Sequence, residues 1–358
     1  MIYIIYILIV IILGVLYQAH SPNCRKWQIE SKSYLILVFL LGLIIMGLRG
    51  LNVGKDTINY YIMYAQIIHL PINQLLSRSD VEPLWAILMW FNNYFLGNYL
   101  SFQLFISIII CLLSGILIYR LNSILGGNHI LVLTILLISY FFLWSLNISR
   151  QIIAVLLVAN SWIYYRSQNF YKSFFIYLCA LGFHYSSLLA LPLYVMWNFR
   201  SNRYLFFIFT IGLIGLIGSI AILKELAYNN GLYVSYTNAD TDKFQEANTV
   251  RIMWVLIGLI STFIIMRKSK YSITLRVSSA FSLIYVTLNF LASEVSYIER
   301  IGLYYLPFAL ITLVGFGNKF KSSIWRLFYF SSLILCYTAW YMISAKSSQY
   351  IYKISEFL

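Results

Sequence analysis

The feature that most constrains this chain is a series of apolar runs almost free of charge: Ile2–Leu16, Tyr34–Leu48, Ile130–Leu146, Tyr204–Leu223 and Ile324–Ile343. Each approaches the roughly 20 residues that an α-helix needs to cross a hydrocarbon core. They are too long and too uniformly apolar for the alternating strands of about ten residues that build an outer-membrane barrel. Composition agrees, because the 358 residues are 61% hydrophobic and only 10% charged, where a soluble domain carries roughly 25% charged residues. The reading is an all-α, polytopic integral membrane protein without a soluble catalytic domain. Ile2–Leu16 lacks the basic flank and small-residue cleavage site of a signal peptide, so it is expected to be a retained first helix.

Cys24, Cys111, Cys179 and Cys336 show no metal-ligand spacing, and three of them lie inside apolar runs, where cysteine behaves as a small hydrophobe. No His-x3-His or Cys-x2-Cys pattern supports a metal site. No disulfide, metal or cofactor is expected. The net charge of +14 is read as basic loops facing anionic membrane lipid, not as a nucleic-acid footprint.

Short basic loops belong in the cytoplasm. The clearest are Arg25-Lys26, Arg200 to Arg203, Arg267 to Lys270, and Lys319 to Lys321. Placing them together requires both termini outside and about 12 crossings. The apolar stretch Leu84 to Leu96 is too short to span and is read as re-entrant or interfacial. Tyr171 to Trp197 must go out and back as two short helices broken near His184, and broken helices are tolerated only where they line protein or water. This arrangement leaves only Glu30 of the 11 acidic residues inside. Two long outer loops are expected, about 49–83 and about 224–250, within a single transmembrane domain over 1–358. No internal repeat of the kind that marks secondary transporters is found.

Ionisable residues at the edge of membrane segments are costly and are candidate functional groups. Arg49, Asp56, Arg150, His184, Glu294, Glu299 and Arg300 all fall at the outer level. In Arg49-Gly-Leu-Asn-Val-Gly-Lys-Asp56-Thr57-Ile-Asn-Tyr60, two glycines permit a tight turn. Asp56-Thr57 can cap a following helix, and the loop could be held by an Arg49–Asp56 ion pair or could form an anion or sugar site. Ser149-Arg150-Gln151 opens the sixth hydrophobic segment, placing a guanidinium fork at a helix N-terminus, a combination suited to phosphate oxygens. An arginine bound to lipid headgroups is the alternative. His184, in Phe183-His184-Tyr185-Ser186, sits at the expected helix break. Histidine as a residue type suits proton transfer, although a lone histidine is more often structural. Glu299-Arg300 opens a late helix, where snorkelling to the interface explains it as well as ligand binding does. Asp240-Thr241-Asp242 looks like a metal-binding Asp-x-Asp, but nucleotide sugars are not available at an outer loop. Outer-loop tyrosines, Tyr60 among them, could stack on sugar faces.

At these residues the chain resembles a known family. Arg49 to Tyr60, read as Arg-Gly-x-x-Val-Gly-x-Asp-Thr-x-x-Tyr, is similar to the signature after the second helix of EpsG-like proteins, within the Wzy-type polysaccharide polymerases. Arg150-Gln151, Phe183-His184-Tyr185-Ser186, and Arg300 with Tyr304-Tyr305 resemble its central and late elements. The paired Arg and Gly outer-loop motifs of some O-antigen polymerases have no counterpart here, so the resemblance implies the broad family and not that subclass. It implies an all-helical, GT-C-like, metal-independent glycosyltransferase of the bacterial plasma membrane, with its site facing the periplasm or exterior. Such an enzyme polymerises undecaprenyl-pyrophosphate-linked repeat units, with membrane lipid, a flippase and a chain-length regulator as further partners. On this reading His184 is the base, with Asp56 and Glu299 in reserve. Arg150, Gln151 and Arg300 meet the pyrophosphate, and Arg49, Asp56 and Tyr60 shape the sugar or pyrophosphate site.

Three alternatives differ in what they require. A flippase or transporter of the lipid-linked oligosaccharide calls for basic residues along the depth of a cavity, not one outer layer. A membrane O-acyltransferase needs a polar donor path from the cytoplasm. A ligase that moves the finished polymer to a lipid acceptor shares most of the same chemistry.

Overall fold

The computed structural model describes residues 2–20, 24–54, 56–67, 69–76, 81–126, 128–198, 247–266, 271–291, 297–346 and 352. Asp240, Asp242, Glu294 and the run Tyr204–Leu223 lie outside the described residues.

Among the described residues the chain is all-helical. Four helical stretches are long and apolar enough to cross a membrane: Tyr99–Leu125, Ile130–Asn147, Ile273–Phe290 and Ser323–Ser344. Shorter apolar helices cover Ile2–Gln18, Ser31–Gly47, Phe170–Phe183, Trp254–Ile265 and Leu306–Gly317. The elements in order are α1 (Ile2–His20), α2 (Cys24–Gly47), α3 (Thr57–Ile67), α4 (Ile72–Leu76), α5 (Pro83–Leu96) and α6 (Tyr99–Leu125). After these come α7 (Ile130–Leu137), a π-helical turn (Ile138–Phe142), α8 (Leu143–Asn147), α9 (Ser149–Arg166) and α10 (Phe170–Phe183). A 3-10 turn (Tyr185–Ala190) leads to α11 (Leu191–Asn198), and α12 (Ala247–Met266), α13 (Ile273–Leu291), α14 (Tyr297–Gly302), α15 (Leu306–Gly317) and α16 (Ser323–Ser344) complete the described chain.

Local details depart from the sequence expectations in three places. Arg25-Lys26 is not loop, because α2 already begins at Cys24. The expected loop at 49–83 contains α3 and α4, since Thr57, Tyr60, Tyr64 and Ile67 recur at helical spacing and bury one face. The last residues of the second expected outer loop, about 224–250, are helical, because α12 starts at Ala247.

The chain forms two compact units, one of Met1–Ser187 with Leu327–Leu358 and one of Leu188–Arg326. In the first, the continuous stretch from α7 to α8 is the central element, 94% of it buried. Its apolar side chains therefore face protein on all sides, as expected of a helix that is hydrophobic all round. By contrast, only 17% of the apolar stretch of α16 is buried, and Ile324, Trp325, Leu327, Phe328 and Leu335 are exposed, as a lipid-facing helix requires. In the second unit α13 packs against α12, α14 and α15. Small polar residues allow the close approach, with Ser282 and Thr312 hydroxyls 2.8 Å apart between α13 and α15.

α9 and α10 form a tight helical hairpin. The chain reverses at Ser167-Gln168-Asn169, with Gln168 at φ 62°. Asn169 caps α10 by accepting from the Lys172 N–H, and the hairpin is tied inside by Ser161 Oγ bonding to the Ser173 carbonyl at 2.6 Å. The hairpin brings the start of α9 and the end of α10 to one end of the unit.

Candidate functional site

The site is built on the loop after α2. Arg49 is 3% exposed. Its Nη1 donates to the Met46 carbonyl at 2.5 Å and its Nη2 reaches Ser149 Oγ at 3.5 Å. Gln103 of α6 donates to the carbonyls of Gly47 at 2.9 Å and Arg49 at 2.8 Å. The loop thus holds itself to α6 and α9 through Arg49, not through an ion pair with Asp56. Among the described residues Arg49 pairs with no carboxylate.

Gly54 then turns with φ +85°, and a Cβ there would lie 2.1 Å from the Leu146 carbonyl oxygen. Only glycine meets both demands. That approach seats the next residues on the C-terminal end of α8. Asn147 Oδ1 accepts from the Asp56 N–H at 2.9 Å, and Thr57 Oγ1 lies 2.6 Å from the Val53 carbonyl and 3.1 Å from that of Leu146. Tyr99 donates to the Thr57 carbonyl at 3.1 Å. α3 therefore starts at a fixed place, and Tyr60, one turn along, packs at a tilt against Trp85 of α5 with ring centres 5.3 Å apart.

Two helix ends and one loop residue then converge. Arg150 is the second residue of α9, and its guanidinium lies 5.5 Å from the Tyr60 ring centre, within cation–π range. His184 ends α10 in an extended conformation, φ −160° and ψ 117°, so the helix break expected there is observed. Leu84 of α5 packs against Gly182, where a Cβ would come within 2.6 Å of its side chain. This close crossing brings the start of α5 to His184.

Glu82 stands there, immediately before Pro83, the first residue of α5. Its side chain is 8% exposed; one oxygen lies 2.6 Å from Arg150 Nη1 and the other 2.5 Å from His184 Nδ1. Burial opposes its ionisation, but the hydrogen bond from His184 and the charge of Arg150, joined by that of His184 when the ring is protonated, outweigh this. The carboxyl is therefore held below its ordinary value. A carboxylate accepting from Nδ1–H places the neutral ring's lone pair on Nε2, and among the described residues no side chain engages that nitrogen. The imidazole is 26% exposed and Arg150 21%, so both can meet a ligand while their anchor stays buried. The arrangement can take a proton at Nε2 and present guanidinium donors to an anion beside it.

The structure thus brings together Arg49, Asp56, Tyr60, Arg150 and His184 in the first unit. Gln151 is buried beside Arg150. Glu299 and Arg300 belong to α14 of the second unit, where burial pushes the Glu299 carboxyl up to about 7 against the pull of Arg300. Glu82 is the residue that reasoning from sequence missed. Its signal was a carboxylate directly before a proline that opens an apolar helix too short to span. Among the described residues no group of three or more His, Cys, Asp or Glu gathers for a metal ion.

The EpsG family model matches residues 32–356. The chain belongs to the EpsG family. The match runs through every element of the site, from Arg49 to His184, and on to Arg300. EpsG membership makes this a membrane protein of the polysaccharide-polymerase type. No curated protein and no solved structure matches the chain.

Proposed function

We propose that this EpsG protein polymerises undecaprenyl-pyrophosphate-linked repeat units at the outer face of the bacterial plasma membrane, threading the bilayer about 12 times. The observation that carries the reading is the Glu82 carboxylate shared between His184 Nδ1 and Arg150 Nη1. It joins a base to an anion-binding group at the edge of the membrane helices, where two lipid-anchored substrates can meet.

In the reaction, His184 Nε2 takes the proton of the acceptor sugar hydroxyl as that oxygen bonds to the donor's anomeric carbon. The bond from that carbon to the pyrophosphate oxygen breaks, and undecaprenyl pyrophosphate leaves with the electron pair. Arg150 stabilises the charge developing on the leaving group, which gives the residues a way to work without a metal. Glu82 touches neither substrate; it fixes the imidazole tautomer and offsets the imidazolium that forms, the part a buried carboxylate plays in hydrolase triads. Tyr60 and Asp56 border the sugar position, and buried Arg49 holds the loop that carries them.

The test is genetic. Cells carrying His184→Ala or Arg150→Ala in place of the wild-type protein should retain lipid-linked single repeats on the outer face and make no long polymer. Long polymer from both variants would overturn the assignment. Loss of outward-facing single repeats would instead indicate a flippase.

A further inference from the structure

The opposite end of the α9–α10 hairpin carries a second charged cluster, which the polymerase reading does not use. Tyr164 lies 14 residues along α9 from Arg150, about 21 Å at the helical rise. Arg120 of α6 lies over its ring with 4.2 Å from Cζ to the centroid. It also bonds to the Tyr164 hydroxyl, and its Nη1 donates to Asn160 Oδ1 at 3.3 Å. Lys172 of α10 approaches the same ring, with Nζ 5.9 Å from its centre. One residue before Arg120, Tyr119 receives Lys32 of α2 at 5.5 Å.

Like charges repel, so two cations gathered on one tyrosine ring call for a counter-charge. Among the described residues neither Arg120 nor Lys172 is paired with a carboxylate. Asn160 is 3% exposed and is itself fixed, donating to the Leu156 carbonyl at 2.9 Å. The guanidinium is therefore held in place by protein through two of its five N–H donors, leaving three for an oxyanion. Lys172 is exposed and sits in the first turn of α10, whose N-terminus adds to the positive potential. Proximity to the ring limits how far the ammonium strays from Arg120.

We propose that Arg120, Tyr164 and Lys172 form a phosphate-recognising site for the headgroup of an anionic phospholipid, on the membrane face opposite the Glu82 cluster. The shared chemistry is a phosphate oxyanion between a guanidinium and an ammonium. The lipid is favoured over a soluble phosphate because the site terminates apolar helices: Leu112 and Ile116 on α6 and Phe174, Phe175 and Leu178 on α10 are exposed beyond it, where acyl chains lie.

The experiment titrates dioctanoyl phosphatidylglycerol, and separately inorganic phosphate, against the full-length protein in neutral detergent, reading the shift in Tm. Wild type should be stabilised by the lipid and not by phosphate. Arg120→Gln/Lys172→Gln should raise the half-saturating lipid concentration on the order of tenfold. If phosphate stabilises wild type as well as the lipid does, and the double variant loses both responses, the source is soluble and the lipid assignment falls. Lys172 is exposed, so Lys172→Gln alone tests the site in a chain whose packing is untouched. An unchanged half-saturation in that variant would overturn the proposal. Polymer formation is a separate readout, so either reading can fail without the other.

Discussion

At one end of the α9–α10 hairpin a buried carboxylate lies between an arginine and a histidine. At the other, an arginine and a lysine share a tyrosine ring with no acid paired to either among the described residues. The difference shows what a single acid does to a cluster of cations at a membrane surface. Glu82 contacts both His184 and Arg150, and on the proposed reading it orders the imidazole as a base and the guanidinium as a donor. With no such acid among the described residues, Arg120 and Lys172 are the pair proposed above to hold a lipid phosphate. On the two proposals, one end is organised for a reaction and the other for retention.

The largest expected effect comes from erasing the acid. Glu82→Gln keeps the shape but loses the charge that orders the tautomer, and should slow polymerisation by roughly 10²–10⁴-fold. Lys172→Gln, at the other end, should leave the rate in neutral lipid unchanged. Equal losses from both would dissolve the contrast, and initial rates on a defined lipid-linked repeat decide it.

Gly54→Ala comes next, combining a positive φ with a Cβ placed 2.1 Å from the Leu146 carbonyl oxygen. It should cost about 1–3 kcal/mol in thermal or chaotrope unfolding and should weaken activity by moving α3 and Tyr60. Unaltered stability would mean that the loop adopts another path.

Acid should act on the Glu82 end first. Folded Glu82 ionises more readily than the unfolded residue. Its contribution is therefore complete above the ordinary carboxylate value of about 4.3 and is lost as pH falls through the lower folded value. Glu82→Gln should flatten that part of the stability profile, and Lys172→Gln should not. The smallest effect is that of Asn147→Ala, which removes the acceptor for the Asp56 N–H and should cost about 1 kcal/mol.

Much of the first unit was legible in the sequence. The uncharged runs among the described residues are helices, and the break at His184 followed from a hydrophobic stretch too long for one crossing and too short for two regular ones. Gly54 and Thr57 announced a tight turn and a helix start. Glu82 was barely legible, because its place before Pro83 is its one local signal and its partners lie 68 and 102 residues away. The same holds for Arg120, whose partner on α9 is 44 residues distant. The π-helical turn at Ile138–Phe142 leaves no mark in an uncharged, largely apolar run. Arg49 was read as a binding group from its charge, whereas its guanidinium bonds the Met46 carbonyl three residues back and reaches the Ser149 hydroxyl of α9, a close approach that periodicity does not encode.

The most direct test of the account is in vitro polymerisation, with the purified full-length protein given one synthetic undecaprenyl-pyrophosphate repeat unit and the products resolved by gel or mass spectrometry. The account predicts a ladder spaced by single repeats from wild type, abolished in His184→Ala and nearly so in Glu82→Gln. A ladder of undiminished length and rate from both variants would contradict it.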